Sequence, residues 1–136
     1  MRVFLDTNVL LDSLIERENP QFCRDADAIL RAGKNGTVEL YMSVLSVPTI
    51  AYVLKNVEVA RKMILGLTAI VSVLPSLPEH VGASLEGPLS DIEDALQLLS
   101  ARSGGCDLIV TRDLEGFRQA DLPVISPGEF LGRILE

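Results

Sequence analysis

At 136 residues the chain fits one domain with a sizeable core, and 48% apolar content with only 4% aromatic points to a core of Leu, Val, Ile and Ala. A formal net charge of −7, from 19 acidic against 12 basic residues, excludes a protein that coats nucleic acid through a strongly basic surface. It leaves open a carboxylate cluster that holds divalent cations and through them attracts a phosphate.

The chain opens Met1-Arg-Val-Phe-Leu-Asp-Thr-Asn8. Val3 to Leu5 read as a short buried strand, so Asp6 emerges at its C-terminal end with Thr7 and Asn8 opening a helix. In open α/β sheets ligands bind at that edge. Asp6 is there either as a helix N-cap or as one member of a metal-binding carboxylate cluster. Leu10, Leu11, Leu14 and Ile15 continue a helix from Val9 to Ile15, which Glu16-Arg-Glu-Asn-Pro20 ends. A second helix runs from Gln21 to Ala32, with Phe22, Ala26, Ile29 and Leu30 on one face and Gly33-Lys-Asn-Gly36 as its stop. Thr37 to Met42 suits a second strand.

Ser43 follows that strand as Asp6 follows the first, and Val44 to Leu54 form the next helix, with Pro48 tolerated near its start. After Asn56 a helix covers Val57 to Leu67, and the β-branched stretch Ala69 to Leu74 is a third strand. Pro75, Pro78, Gly82, Gly87 and Pro88 leave room only for a short helix over Glu79 to Leu85. A helix from Ser90 to Ala101, a strand from Asp107 to Thr111, a short helical turn, a strand at Pro123 to Ile125 and a helix from Pro127 to Leu135 complete the chain. Strands alternating with helices imply an α/β fold, a parallel sheet with helices on both faces joined by right-handed crossovers. Without repeats, low-complexity tracts or linkers, residues 1–136 are expected to form a single domain.

Cys23 and Cys106 are widely spaced and lack CxxC spacing, so both read as small core residues suited to a reducing cytoplasm. Asp6 interrupts any N-terminal signal core, and the nearly apolar stretch Met63 to Leu74 is too short to span a bilayer. The expectation is a soluble, cytoplasmic protein with no membrane partner. The single histidine, His80, falls in a Pro-rich turn and is expected at the surface. With one histidine and no phosphate loop, nucleophilic-triad and nucleotide-loop chemistries find no support. Arg24, Arg31, Lys34, Lys55, Arg61 and Lys62 read as solvated helix charges that could also line an RNA path.

Ser90-Asp-Ile-Glu-Asp94 places three carboxylates at a helix start. Ser90 with Glu93 makes a capping box, and first-turn acids are favoured by the helix dipole. Asp94 is expected to face inward beside Ala95, Leu98 and Leu99, where an unpaired charge is costly and calls for a partner. Asp113 repeats the Asp6 pattern just beyond the strand ending in Thr111. Side by side, Asp6, Asp94 and Asp113 would repel one another unless a hard cation bridged them. Carboxylates with retained waters are what Mg²⁺ or Mn²⁺ prefers, which suggests metal-assisted attack of water on a phosphodiester.

These motifs resemble those of the PIN domain, a metal-dependent ribonuclease fold used by many toxins of toxin–antitoxin pairs. Phe4-Leu-Asp6-Thr-Asn8 resembles its opening strand, Ile92-Glu-Asp94-Ala-Leu its central helix motif and Ile109-Val-Thr111-Arg-Asp113 its closing strand. The resemblance implies a three-layer α/β/α sandwich around a mainly parallel sheet of about five strands. It further implies Asp6, Asp94 and Asp113 as catalytic ligands of Mg²⁺ or Mn²⁺, with Thr7, Asn8 and Thr111 orienting them. RNA as substrate, a cognate antitoxin and a homodimer follow from the same likeness, the last through the apolar helices near Thr49 to Leu65.

One position departs from the pattern. PIN domains usually carry an acid about six residues beyond a serine like Ser43, and this chain has Thr49 there. The site keeps three of four acids, which weakens metal affinity, recruits Asp91 or Glu93, or reduces catalysis. Two function classes therefore stand: a metal-dependent ribonuclease, and a PIN-like module that binds RNA or protein without turnover. A haloacid-dehalogenase-type phosphatase is disfavoured, because Asp6-Thr-Asn8 lacks the second acid needed as proton donor.

Overall fold

The computed structural model describes residues 1–17 and 19–134. Its strands are β1 (Arg2–Leu5), β2 (Glu39–Ser43), β3 (Val71–Leu74), β4 (Leu108–Val110) and β5 (Val124–Ile125). The helices are α1 (Thr7–Leu14), α2 (Pro20–Lys34), α3 (Ser46–Leu54), α4 (Val57–Thr68), α5 (Pro78–Glu86), α6 (Ile92–Ser103) and α7 (Pro127–Ile134). Every predicted strand forms, in the order β3-β2-β1-β4-β5, and each neighbouring pair is parallel. Phe4 stands opposite Tyr41 on one side and Ile109 on the other.

Strand alternation sorts the core into two layers. Val3, Leu5, Leu40, Met42, Leu108 and Val110 face helices α1, α2, α3, α4 and α7, with Ile29, Ile50, Leu67 and Phe130 buried against them. Phe4 and Ile109 face the opposite way, onto Ala95, Leu98 and Ala101 of α6 and onto Phe117. The result is the expected three-layer sandwich. Gly33 lets α2 approach β2 closely, since a Cβ there would run into the Leu40 side chain.

The strand order matters for function. From β1 the chain steps outward to β2 and β3, then returns to lay β4 on the other side of β1. At such a switch point the loops after neighbouring strands diverge and leave a crevice at their C-terminal ends. The Asp6 amide donates to the Val110 carbonyl at 3.0 Å, so the pairing of β1 with β4 continues to the residue entering that crevice.

Several expectations are corrected. No helical turn follows Asp113: residues 114–119 form successive turns, with Phe117, 1% exposed, pinning them to the α6 side of the core. The α6 cap is Asp91 and not Ser90, its carboxylate accepting from the Asp94 amide at 2.9 Å, so α6 starts at Ile92. β3 begins at Val71, since the Ile70 amide still donates to the Leu67 carbonyl at 3.0 Å. His80 is buried, and its Nδ1 accepts from the Leu77 amide at the head of α5. Cys106 is buried as expected, whereas Cys23 is half-buried with its thiol directed at Asp27. Leu135, where the last helix was expected to end, lies outside the described residues. Among those residues no helix is long and apolar enough to cross a membrane.

Candidate active site

Asp6 fills one of the two roles its sequence position allowed, the helix cap. It caps α1, with Oδ1 accepting from the Thr7 amide at 2.7 Å, and it is almost fully buried at the floor of a cleft. Its second oxygen, Oδ2, accepts from Thr111 Oγ1 at 2.7 Å. The same hydroxyl oxygen accepts from the Asp113 amide at 2.9 Å, so one threonine at the end of β4 fixes both strand-end acids. Asp113 in turn accepts from the Gly116 amide at 3.0 Å.

The cleft, about 260 Å³, is lined by Asp6, Thr7, Asn8, Asp94, Asp113 and Thr49, with the acids Asp91 and Glu93 and the amide of Gln97 beside them. All three predicted aspartates therefore meet at one place, drawn from two strand ends and one helix head. A wider groove of about 440 Å³ shares Asp91, Asp94 and Asp113 and continues past Gly116 to Arg118. Of the predicted supporting residues, Thr7 reaches across to α3, its Oγ1 2.7 Å from Ser46 Oγ. Ser43 is fully buried and accepts from the Leu45 amide at 3.0 Å. It shapes the entry to α3 and does not line the cleft.

The electrostatics of the cleft are dominated by its own acids. Burial raises the Asp6 carboxyl above its ordinary range, against the hydrogen bonds from Thr111 and Thr7 and the nearby Gln97 amide. Asp94 is pushed up to about 7, first by burial and then by the charges of Asp91, Asp6, Asp113 and Glu93. Glu93 is raised by burial and by Asp91 and Asp6. Clustered carboxylates that resist ionisation mark a functional site more often than a structural one, because folding alone does not require them.

Among the described residues no three acidic, histidine or cysteine side chains are arranged as a ready cage for one ion. Asp6 accepts from Thr7 and Thr111, Asp91 from Asp94, and Asp113 from Gly116. Hard oxygen donors with several waters between them still suit a hydrated divalent cation, since Mg²⁺ keeps most of its waters and takes one or two carboxylates directly.

The sequence profile of the PIN domain matches residues 2–115. The chain belongs to the PIN domain family. It is 31% identical over 141 aligned positions to Ribonuclease VapC1 of Aquifex aeolicus, which spans 97% of this chain and 94% of that protein. Its fold resembles that of VapBC2 from Rickettsia felis bound to a promoter DNA fragment, with a TM-score of 0.66 at 14% identity, covering 93% of this chain and 98% of that one. It also resembles VapBC-1 from nontypeable Haemophilus influenzae, with a TM-score of 0.63 at 21% identity over 94% and 99% of the two chains.

Within this PIN domain the cleft-facing residue on α3 is Thr49, whose Oγ1 donates weakly to the Leu45 carbonyl at 3.4 Å. The wall opposite α6 therefore carries no carboxylate at that point. Three contributors escape a reading of the sequence. Gln97 reads there as one polar residue in an apolar helix, yet it is buried beside Asp6. Gly116 reads as a turn glycine, but a Cβ on it would strike the Asp113 carboxylate and come within 3.0 Å of Asp94 Oδ2. Asp12, also buried, accepts from Arg112 Nε at 2.7 Å and Arg17 at 3.2 Å, while Arg112 stacks 4.2 Å over Phe22. That knot ties the residue before Asp113 to α1, and Asp12 is separated from Arg112 by too much chain for any local pattern to reveal it.

Proposed function

We propose that this PIN domain is a metal-dependent ribonuclease that hydrolyses RNA phosphodiester bonds and serves as the toxin of a toxin–antitoxin pair in the cytoplasm, with a cognate antitoxin as partner. The observation that carries the reading is the meeting of Asp6, Asp94 and Asp113 in one cleft at the β1/β4 switch point. The relative named Ribonuclease VapC1 supports RNA hydrolysis, and the fold shared with VapBC proteins supports the pairing with an antitoxin. Residues 1–136 act as one domain in this reading.

Asp6, Asp94 and Asp113 would hold Mg²⁺ or Mn²⁺, with Asp91 contributing its charge while it caps α6. A divalent cation supplies Lewis acidity, which acidifies an attacking water and offsets charge developing on the phosphoryl oxygens. Thr111 keeps Asp6 and Asp113 in register, and Thr7 ties the Asp6 turn to α3. Asn8 lines the cleft, and Ser43 accepts from the Leu45 amide just before α3. Tyr52, Val57 and Leu65, all well exposed on α3 and α4, support a homodimer, to be checked by light scattering of the purified chain.

The decisive experiment is cleavage of mixed RNAs by the purified chain with Mn²⁺ or Mg²⁺, compared with the same protein in EDTA. Cleavage only with the cation is the expected result; cleavage that persists in EDTA removes the metal from the mechanism. Thr49 favours a second reading, a weakened PIN domain that binds RNA or protein without turnover, and RNA binding without cleavage in either cation would select it.

A pH dependence follows from Asp94. Its carboxyl ionises near its ordinary 3.8 in the unfolded chain and near 7 in the metal-free fold. Between those values the folded state holds the extra proton, so this group's contribution to stability falls as pH rises toward 7. A bound cation displaces that proton and reverses the loss. The Tm gained from Mn²⁺ over EDTA should therefore be small at about pH 5.5 and grow to about pH 8. A gain that is flat across that range would contradict it.

A further inference from the structure

Gln97 takes no part in the reading above. It lies on α6 one turn beyond Asp94, is 1% exposed and lines the same cleft as Asp6, Thr49 and Asp113. Its side-chain amide lies beside the Asp6 carboxylate. A carboxylate only accepts, so the amide NH₂ group faces Asp6 and the carbonyl is turned away from it.

That carbonyl oxygen, Oε1, is buried and has no protein partner. Among the described residues the other buried side-chain atom in this condition is Arg2 Nε, at the far end of β1 and outside the cleft. Buried polar atoms are satisfied in the great majority of cases, and water or an ion commonly supplies the partner. An unpaired acceptor on a residue that shares a cleft with three aspartates and a threonine calls for a donor and not for another acceptor.

We propose that Gln97 is a positioning residue for a hydrated divalent cation: its NH₂ group steadies Asp6, and its Oε1 accepts from a water of the cation's hydration shell. Gln97 thus supplies, as a neutral oxygen, part of the acceptor capacity that Thr49 does not. The inference rests on the cation-site reading and adds to it a residue outside the acidic set.

The test is Mn²⁺ binding to the EDTA-stripped full chain, read from the electron paramagnetic resonance signal of free Mn²⁺, for wild type, Gln97→Met and Gln97→Glu. Gln97→Met keeps the volume and removes both polar atoms. It should weaken Mn²⁺ binding about tenfold, the cost typical of losing a residue that orients a metal's ligands, with metal-free Tm unchanged or raised. Gln97→Glu restores an acceptor and should recover most of the affinity, while the added charge beside Asp6 lowers metal-free Tm. Binding by Gln97→Met equal to wild type overturns the proposal and leaves the cation site standing. Failure of wild type to bind Mn²⁺ overturns both. If Gln97→Met does not fold, the Glu variant decides: affinity near wild type supports the role, and a tenfold loss overturns it.

Discussion

Asp6→Asn is expected to lower metal-dependent RNA cleavage by more than about a hundredfold while leaving the fold intact, since it removes a charged ligand candidate and not merely a residue supporting one. The two consequences separate because capping needs only an acceptor oxygen, whereas holding a cation needs the charge. Asparagine caps helices as well as aspartate does, so the bond from the Thr7 amide to Oδ1 survives the change. The charge does not survive, and with it goes the most buried carboxylate of the cleft. Removing that charge also relieves Asp94, whose carboxyl Asp6 helps to push up to about 7. Metal-free Tm should therefore hold or rise while cleavage and the Mn²⁺-induced Tm gain disappear. Alanine is the less informative substitution, because it deletes the cap as well, at about 1 kcal/mol. Cleavage by Asp6→Asn at a rate near wild type would remove Asp6 from the active site.

Gly116→Ala is expected to cut activity about ten- to a hundredfold with little loss of stability. The backbone at Gly116 has no left-handed conformation that only glycine tolerates, so alanine is admissible there. The new methyl would nevertheless overlap the Asp113 carboxylate, which the Gly116 amide itself holds in place, and crowd Asp94 Oδ2. Asp113 is exposed and can swing aside cheaply, which spares the fold but withdraws the acid from the cleft. Circular dichroism and urea denaturation should match wild type, and RNA cleavage with Mn²⁺ should not. Full activity in Gly116→Ala would mean that Asp113 is not needed in the position it occupies.

Much of this molecule is legible without coordinates. Each predicted strand forms, and the short apolar runs that end in Asp6 and Thr111-Arg-Asp113 deliver their acids to the same sheet edge. Such features are local: strand alternation, helix spacing and stop residues act over a few positions, and the hydrophobic effect rewards them wherever the segment is buried. The departures are local misreadings of a different kind. Ser90 and Asp91 are both competent caps, and which one serves depends on where the preceding Pro-rich segment lets the chain turn. His80 carries a polar ring that sequence places at the surface, but a bond from the Leu77 amide satisfies Nδ1 and permits its burial.

By itself, then, the sequence determined an alternating α/β chain with acids at strand ends, and its resemblance to the PIN domain singled out Thr49 where an acid is usual. Tertiary structure alone decided that β4 lies beside β1, which brings Asp113 to Asp6 through one Thr111 hydroxyl across more than a hundred residues of chain. It also decided that Gln97 lines the cleft, that Gly116 abuts Asp113 and Asp94, and that Asp91 caps α6. The reason is that side-chain periodicity encodes which face of an element is buried, whereas strand order and the packing of α6 set what that face meets. Asp6 needed the first to be noticed and the second to acquire its neighbours.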